Sequence, residues 1–211
     1  MGARRTRSRR DERRERENQL RRNDVLAAAA SVFSEKGFQG AQIAEIAHLA
    51  ELSLNTVYGL FKGKEELYEA VIHRAVATVH DRVRSHVETV EDPGERLLAV
   101  IDALFACFDE HRHLLQIYAR TTHGLPWRVR QAMGADSLDV FQRFTVWLVG
   151  IAKEAKRAGR LGALDPETVA LSLVGAVTTS AARWVESPRK ETLVDAAPRV
   201  RAVFETLLSR S

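Results

Sequence analysis

Residues 37–67 contain two short apolar patterns separated by a polar break, and this arrangement most limits what the chain can fold into. Apolar residues recur at spacings of three and four from Ile43 to Ala50, which predicts a helix with one buried stripe. Ser53 then offers an N-cap for a second helix, whose inner side carries Val57. Two short helices joined by a tight turn form the unit that places its second helix in the major groove of DNA.

The second helix of this pair is predicted to meet DNA. Asn55 is the best candidate for base recognition, because its side-chain amide can form two hydrogen bonds with adenine. Thr56 and Tyr58 are predicted to position the helix on phosphates, which orients it without reading sequence. The predicted DNA-binding residues are Gln42, Ser53, Leu54, Asn55, Thr56, Tyr58, Lys62 and Lys64, together with Arg9 and Arg10.

Lys64 lies in the first turn of the next predicted helix, where the positive end of the helix dipole disfavours a cation. Glu65 and Glu66 suit that end, and Gly63 can cap it. A DNA phosphate facing Lys64 would explain its position. The simpler alternative is an ordinary exposed lysine.

One set of residues matches a known family in order and spacing over about 45 residues. The set comprises the run Val25-Leu26-Ala27-Ala28-Ala29 with Phe33, then Gly37-Phe38, Ile46-Ala47, Ser53, Thr56-Val57-Tyr58, Phe61 and Lys64-Glu65-Glu66-Leu67. On these residues the segment resembles the amino-terminal domain of the tetracycline-repressor (TetR) family of transcriptional regulators. The rest of the chain is similar to the family only in size and helical pattern.

Three features depart from the pattern of that family. Ala41 and Gln42 stand where two threonines are usual at the start of the second helix. Glu51 replaces the usual turn glycine. Leu60 replaces a tyrosine or histidine that commonly touches phosphate.

The resemblance implies an all-α fold with an N-terminal three-helix helix-turn-helix DNA-binding domain and a C-terminal helical ligand-binding and dimerisation domain. We expect a basic, flexible arm at 1–19, the DNA-binding domain at 20–66 and the larger domain at 67–211. Capping and turn residues divide the chain, as in Asp165-Pro166, where aspartate caps a helix and proline fits its first turn. Helices are predicted near 20–36, 42–50, 54–60, 64–90, 94–110, 112–122, 127–159, 166–186 and 195–209.

The basic excess is confined to the N-terminus. Residues 1–22 hold ten arginines and four carboxylates, a net charge of +6 in a chain that carries +4 overall. Such an arm beside a helix-turn-helix can enter the adjacent minor groove or screen phosphates. A solvated, solubilising tail is the alternative. Residues 11–22 mix both signs of charge, a pattern that can extend the first helix toward the N-terminus.

Two late helices have apolar surface on more than one side. Between 166 and 186, a bulky stripe that includes Leu173 and Val177 adjoins a face of small side chains, and one domain is not expected to bury both. The resemblance implies that this helix and the last one pair with their copies as a four-helix bundle in a homodimer. The alternative is that both stripes belong to the core of one chain. The predicted interface residues are Leu171, Gly175, Thr178, Ala182, Val200, Phe204 and Leu207.

Large side chains are concentrated between residues 105 and 147, with polar residues among them. An apolar pocket with a few polar groups is the usual form of a small-molecule site, although aromatic residues at helical spacing are more often plain core. The predicted ligand-binding residues are Phe105, Phe108, Tyr118, His123, Trp127, Phe141, Phe144 and Trp147.

The sequence favours neither an enzyme nor a membrane protein. The single cysteine, Cys107, excludes an internal disulfide and is expected to be a buried small hydrophobe. No segment approaches the ~18 uninterrupted apolar residues of a membrane span, so we expect a cytoplasmic protein without a membrane partner. His111 and His113 lack metal-ligand spacing, and no catalytic motif is found, so no cofactor, metal or catalytic residue is predicted. Three histidines are expected on the exposed side of the long fourth helix: His73, His80 and His86.

These patterns predict a DNA-binding regulator, a homodimeric repressor that a small apolar or amphipathic effector releases from a palindromic double-stranded DNA operator. Two alternatives keep the same DNA-binding unit. One is an architectural DNA-binding protein without an effector, and the other is an activator. Titration with hydrophobic effectors would distinguish the effector-free alternative.

Overall fold

The all-α fold predicted from the sequence is confirmed by the computed structural model, which describes residues 9–113, 115, 116, 119, 135–186 and 192–209. Within these ranges all regular structure is helical. The chain forms two compact units, an N-terminal unit that ends at Val71 and a larger unit that begins at Ile72. The described helices are α1 (Arg9–Gly40), α2 (Ile43–Leu49), α3 (Leu54–Leu60), α4 (Lys64–Val87), α5 (Pro93–Glu110), α6 (Ala135–Arg157), α7 (Pro166–Glu186) and α8 (Leu193–Ser209).

Helix α1 begins at Arg9 and not near residue 20, so the described part of the expected flexible arm is helical. Arginine and glutamate alternate along this segment, and the Nε atom of Arg13 lies 3.0 Å from a carboxylate oxygen of Glu17 one turn later. Such exposed pairs stabilise a helix by only about 0.3–0.5 kcal/mol each, but straight-chain charged residues are also good helix formers. Residues 1–8 of the arm lie outside the described residues.

The N-terminal unit is closed by an aromatic cluster at the end of α1. Phe33 is buried, and its ring centroid lies 4.9 Å from Tyr68 and 6.3 Å from Phe38. Gly37 interrupts α1 with φ 69° and ψ 176°, a conformation that is open essentially only to glycine. This break turns the chain so that Phe38 folds back on the helix that precedes it. Further buried residues of the unit are Val25, Ala29, Ile46, Ala47, Val57, Phe61 and Leu67.

The turn between α2 and α3 contains a strained residue. Glu51 has φ 55° and is the only described non-glycine residue with a positive φ. The left-handed conformation costs an ordinary residue roughly 1–2 kcal/mol. The departure from the family's turn glycine therefore falls on a backbone position that glycine would occupy without strain.

The larger unit has one apolar core, which draws on α4, α5, α6, α7 and α8. The predicted cap at Asp165 is confirmed, because its carboxylate accepts from the Thr168 amide at the start of α7. Asp92 likewise caps α5, where it accepts from the amides of Gly94 and Glu95. Cys107 is buried in this core, as expected, and burial raises the pKa of its thiol.

Helix α8 packs extensively against α5, and side chains fix its position. The guanidinium of Arg201 donates to Asp102 at 2.5 Å and to Glu95 at 3.2 Å. At the other end of the helix, the amide of Leu193 donates to Asp109 at 3.2 Å. These bonds lock the C-terminal helix onto a helix that begins about a hundred residues earlier in the chain.

Helix α7 buries more of its surface than the sequence suggested. Its buried residues include the bulky stripe and also Thr178 and Ala182 from the face of small side chains. Among the described residues, α7 is the one helix with the length and hydropathy of a membrane span. Buried core helices pass the same test, and here 44% of the apolar window is buried.

The strain at Glu51 predicts a stabilising substitution. Glu51→Gly should raise the free energy of unfolding by about 0.5–1 kcal/mol, because the relieved strain exceeds the extra chain entropy of glycine. Ala44→Gly is the matched control: it lies exposed within α2, where glycine should cost about 1 kcal/mol. Denaturant unfolding of the full chain measures both changes, and a loss of stability in Glu51→Gly would contradict the assignment of strain.

Candidate nucleic-acid interface and ligand pocket

Helix α3 presents its polar residues outward from a capped end. The hydroxyl of Ser53 accepts the Thr56 amide at 3.1 Å and lies 2.8 Å from the Thr56 hydroxyl, so the predicted N-cap is confirmed. Asn55 is exposed, while Leu54 and Tyr58 are 42% and 50% exposed. The leading end of α3 therefore offers an amide, a phenol and an apolar side chain to a partner.

The segments that precede α2 and α4 are close to α3 in the sequence and carry further polar groups. Gln42 is exposed at the N-cap position of α2, where its side chain makes no capping hydrogen bond. Lys62 is exposed, and its backbone amide donates to the carboxylate of Glu66 at 2.8 Å. That bond satisfies a donor just before α4 and leaves the Lys62 side chain at the surface.

The side chain of Lys64 makes contacts within the protein, whereas the sequence suggested either a phosphate ligand or an ordinary exposed lysine. Its ammonium lies 3.2 Å from the carbonyl of Ala41 and 3.5 Å from that of Gln39. The same ammonium lies 4.6 Å from the centroid of the Phe38 ring. Lys64 thus joins the start of α4 to the connection between α1 and α2, and a phosphate contact stays a prediction.

Arg22 is a positioning residue that no sequence pattern indicated. Its guanidinium donates to the carbonyl of Leu60 at 2.8 Å and lies 4.1 Å from the centroid of the Phe61 ring. The carbonyl belongs to the last residue of α3, where the helix leaves such groups without a partner. A cation at this end also suits the helix dipole. Arg22 therefore fixes the end of α3 opposite Ser53.

The two arm residues predicted to contact DNA, Arg9 and Arg10, are exposed in the first turn of α1. Their helical position makes them part of a continuous helix that also carries Arg22. Contact of Arg9 and Arg10 with DNA stays a prediction.

A small apolar cavity lies in the larger unit. Its volume is ≈ 60 Å³, well below the roughly 300–1,000 Å³ of typical small-molecule sites. Three of the predicted ligand-binding residues line it, namely Phe108, Phe141 and Phe144. The other described lining residues are Ala75, Val76, Val79, His80, Leu104, Val174 and Thr178.

Two further predicted ligand residues, Phe105 and Trp147, are not among the described residues that line this cavity. Phe105 is fully buried in the core, and Trp147 lies beside Phe144 with Arg84 over its ring at 5.4 Å. Three others, Tyr118, His123 and Trp127, lie outside the described residues.

His80 corrects the expectation that it lies on the exposed side of α4. Its ring stacks on Phe144 with centroids 4.0 Å apart, and its Nδ1 atom is buried without a hydrogen-bond partner among the residues that the structure describes. Burial lowers the pKa of His80 to about 3, against the opposing effect of a hydrogen bond to the backbone of Val140; Arg84 lowers it further. The imidazole is therefore neutral at physiological pH.

The predicted dimer interface is only partly available to a second chain. Thr178 and Ala182 are buried within their own unit, because α7 packs both the stripe and part of the small face against the core. Phe204 is buried as well, whereas Leu171 and Leu207 are exposed. The other two predicted residues, Gly175 and Val200, are half-buried.

An open groove of ≈ 370 Å³ runs between α7 and α8. Its lining residues include three that are not among the predicted interface residues: Ala176, Trp184 and Val203. Val203 is 57% exposed. Two sequence features indicated this region: the face of small side chains on α7 and the apolar surface of α8.

A capped recognition helix that follows a short first helix within one compact N-terminal unit defines a helix-turn-helix DNA-binding protein. Residues 25–71 match the family model described as "Bacterial regulatory proteins, tetR family". Residues 25–71 therefore form an N-terminal domain of the TetR family type, as the sequence resemblance indicated.

Two curated relatives match less than half of the chain. The transcriptional activator FasR of Mycolicibacterium smegmatis is 40% identical over 91 residues, which cover 43% of this chain and 41% of FasR. The transcriptional repressor KstR2 of the same species is 30% identical over 93 residues, which cover 44% of this chain and 45% of KstR2. The chain thus matches less than half the length of these relatives.

The fold of the whole chain is shared with solved structures. The transcriptional regulator FadR of Bacillus subtilis, solved in complex with stearoyl-CoA, aligns with a TM-score of 0.74 at 22% identity. The alignment covers 88% of this chain and 97% of the FadR chain. At this identity the likeness establishes the fold.

The Arg22 contact predicts a loss that a neighbouring arginine should not share. Arg22→Met keeps the apolar stem but removes the bond to Leu60, and should destabilise the N-terminal unit by about 1 kcal/mol. Affinity for all DNA sequences should fall together, because the end of α3 loses its anchor. Arg21→Met is the control, since Arg21 is exposed and carries the same charge. Equal effects of the two substitutions on unfolding and on DNA binding would show that charge alone matters.

Proposed function

We propose that the protein is a homodimeric transcriptional regulator that binds a palindromic DNA operator through α3. The observation that carries this proposal is the outer surface of a helix fixed at both ends, with Asn55 and Tyr58 exposed between Ser53 and Arg22. A short helix held in this way can enter the major groove as a rigid unit. Since the operator is chromosomal DNA, we expect the protein to act in the cytoplasm.

The exposed residues of α3 divide into two roles. Asn55 can form paired hydrogen bonds with an adenine edge, which discriminates between base pairs. Tyr58 and the hydroxyl of Thr56 suit phosphate contacts, which add affinity without sequence preference. Gln42, Leu54, Lys62 and Lys64 complete the proposed surface, with Lys64 able to reach a phosphate only at the expense of its carbonyl contacts.

Dimerisation through α7 and α8 would place two such surfaces on one operator. The support is the groove between these helices and the exposed side chains beside it, notably Leu171, Val203 and Leu207. Covering apolar surface of this kind with a second copy removes it from water, and a two-fold axis produces a palindromic site.

We further propose that a small apolar or amphipathic effector binds the larger unit and lowers the affinity for DNA. The support is the apolar cavity, and the fact that α4 contributes residues both to that cavity and to the N-terminal unit. A ligand that widens the cavity would displace α4, and the two copies of α3 would then no longer match half-sites one helical turn or a multiple apart.

Repression is the proposed direction of regulation, and activation is the alternative, since the relatives include the repressor KstR2 and the activator FasR. FadR binds an acyl-CoA, so an acyl thioester is one candidate effector for this chain. The experiment that tests the whole proposal begins with selection of bound sequences from a random DNA library. Gel-shift titration on the selected operator with candidate effectors follows. Recovery of no palindromic sequence would overturn the proposal, and effector-insensitive binding would favour the architectural alternative.

Substitutions in α3 should separate base readout from phosphate contact. Asn55→Ala should cost about 1–3 kcal/mol on the selected operator and relax the preference at one base pair. Tyr58→Phe should weaken binding to all sequences alike, because it removes a phosphate contact. Competition assays with single-base operator variants measure both effects. If the Asn55→Ala variant retains every base preference, α3 does not read the operator through this residue.

The arm should contribute through charge. Deleting residues 2–10 removes five arginines, and each one that neutralises a phosphate contributes about −0.9 to the slope of log affinity against log salt concentration. The truncated chain should bind more weakly and with a shallower slope. A variant in which residues 2–10 are replaced by a glycine–serine segment of the same length controls for chain length. An unchanged slope would mean that the arm does not reach DNA.

A further inference from the structure

We propose that the cavity of the larger unit selects an uncharged, largely apolar ligand that carries a hydroxyl or N–H group, and that Nδ1 of His80 accepts the hydrogen bond from that group. This inference rests on the proposed function, because it specifies the chemistry of the effector. It assigns a ligand-recognition role to a residue on α4 that the sequence pattern did not suggest.

The first step concerns the hydrogen-bonding state of His80. A neutral imidazole has one N–H donor and one acceptor nitrogen. Nδ1 is buried without a hydrogen-bond partner among the described residues, and it belongs to a ring that lines the cavity and stacks on Phe144. The proposed state carries the proton on Nε2, which leaves Nδ1 as an acceptor. A buried acceptor without a partner costs free energy that a donor from a ligand would recover.

The second step concerns the other polar group of the cavity. The hydroxyl of Thr178 donates to the carbonyl of Val174 at 2.8 Å and lies 3.3 Å from that of Gly175. Its hydrogen is therefore committed to its own helix, and only its lone pairs face the cavity. Both polar groups among the described lining residues thus act as acceptors.

The third step concerns charge. None of the described residues that line the cavity is lysine or arginine, and the nearby Arg84 lies over the ring of Trp147. A carboxylate or phosphate would meet two acceptors in an apolar environment, which disfavours an anion strongly. A hydroxyl or N–H group meets complementary acceptors. The remaining surface, which includes Phe108, Phe141 and Phe144, favours an apolar body.

The cavity has to widen for such a ligand, and the lining suggests where. Val76, His80 and Phe141 are half-buried, whereas Leu104 and Phe144 are buried. Movement of the half-buried side chains would open the cavity on the side of α4 and α6. The His80 ring, stacked on Phe144, then lies at the edge of the enlarged space and can orient the polar end of the ligand.

Three probes of one chain length test the proposal: 1-octanol, octyl methyl ether and octanoate. The ether is no less apolar than the alcohol, so burial alone does not favour the alcohol. Isothermal titration of the full-length protein should give an affinity for 1-octanol at least about tenfold above those for the ether and the carboxylate, the factor expected for one buried hydrogen bond. Ether or octanoate binding as tight as that of 1-octanol would overturn the proposal, as would failure of all three probes to bind.

Variants assign the preference to His80. His80→Phe keeps an aromatic ring on Phe144 but removes the acceptor, so the alcohol and the ether should then bind within about threefold of each other. His86→Phe, an exposed position on the same helix, is the control and should retain the wild-type preference. Persistence of the preference in His80→Phe refutes the role of His80. Thermal unfolding verifies that each variant is folded, and if His80→Phe is not, the comparison of probes on the wild-type protein decides.

Two further measurements separate this proposal from the proposed function. Operator binding by the ligand-free protein tests DNA recognition alone and does not depend on His80. Stearoyl-CoA serves as the alternative effector: tight binding that is unchanged by His80→Phe would overturn the ligand class proposed here while supporting an effector-responsive regulator.

Discussion

The hydrogen bond from Arg22 to the carbonyl of Leu60 is the interaction on which the DNA-facing surface most depends. Helix α3 has seven residues, and helices this short are unstable in isolation. Its conformation has to be imposed by its surroundings. Ser53 fixes the first turn, burial of Val57 fixes the inner side, and Arg22 fixes the last turn. Under the proposed function, the exposed residues of α3 meet DNA without the cost of ordering the helix on binding.

The larger unit has the opposite character. Its cavity is smaller than an ordinary ligand site and draws residues from α4, α5, α6 and α7. Cores are packed at nearly crystalline density, so a ligand cannot enter without moving some of these helices. Because the helices are closely packed around the cavity, a ligand can enter only when some of them change position. Since α4 also supplies the last residues of the N-terminal unit, it is the element through which such a change would be transmitted.

Local chemistry was predictable from the sequence, and interactions between distant residues were not. The caps at Ser53 and Asp165 were predicted because a hydroxyl or carboxylate bonds amides two or three residues away. The Arg22 contact joins residues 38 apart and ends on a backbone carbonyl, which leaves no trace in residue type or spacing. Periodicity likewise placed His80 on the wrong side of α4, because an imidazole can be buried neutral when one nitrogen is bonded and the ring stacks on a neighbour.

The helical start at Arg9 and the burial of Thr178 and Ala182 have related explanations. Residues 9–19 carry charges of both signs, and contacts between side chains one turn apart support a helix there. A solvated tail has a similar composition, so composition alone does not distinguish the two. Small residues on α7 let neighbouring helices approach closely, so they pack in the core as well as in interfaces. Which outcome applies depends on neighbours that the sequence of one helix does not reveal.

The bonds that hold α8 to α5 also imply an order of folding. Arg201 and Asp102 are 99 residues apart, and Leu193 and Asp109 are 84 apart, so the larger unit closes through long loops, which slows folding. The N-terminal unit depends on much shorter connections and can form as soon as its own residues are synthesised. During translation, α5 has to wait with an apolar face uncovered until the last helix emerges. In this interval the nascent chain is most exposed to aggregation and has most need of a chaperone.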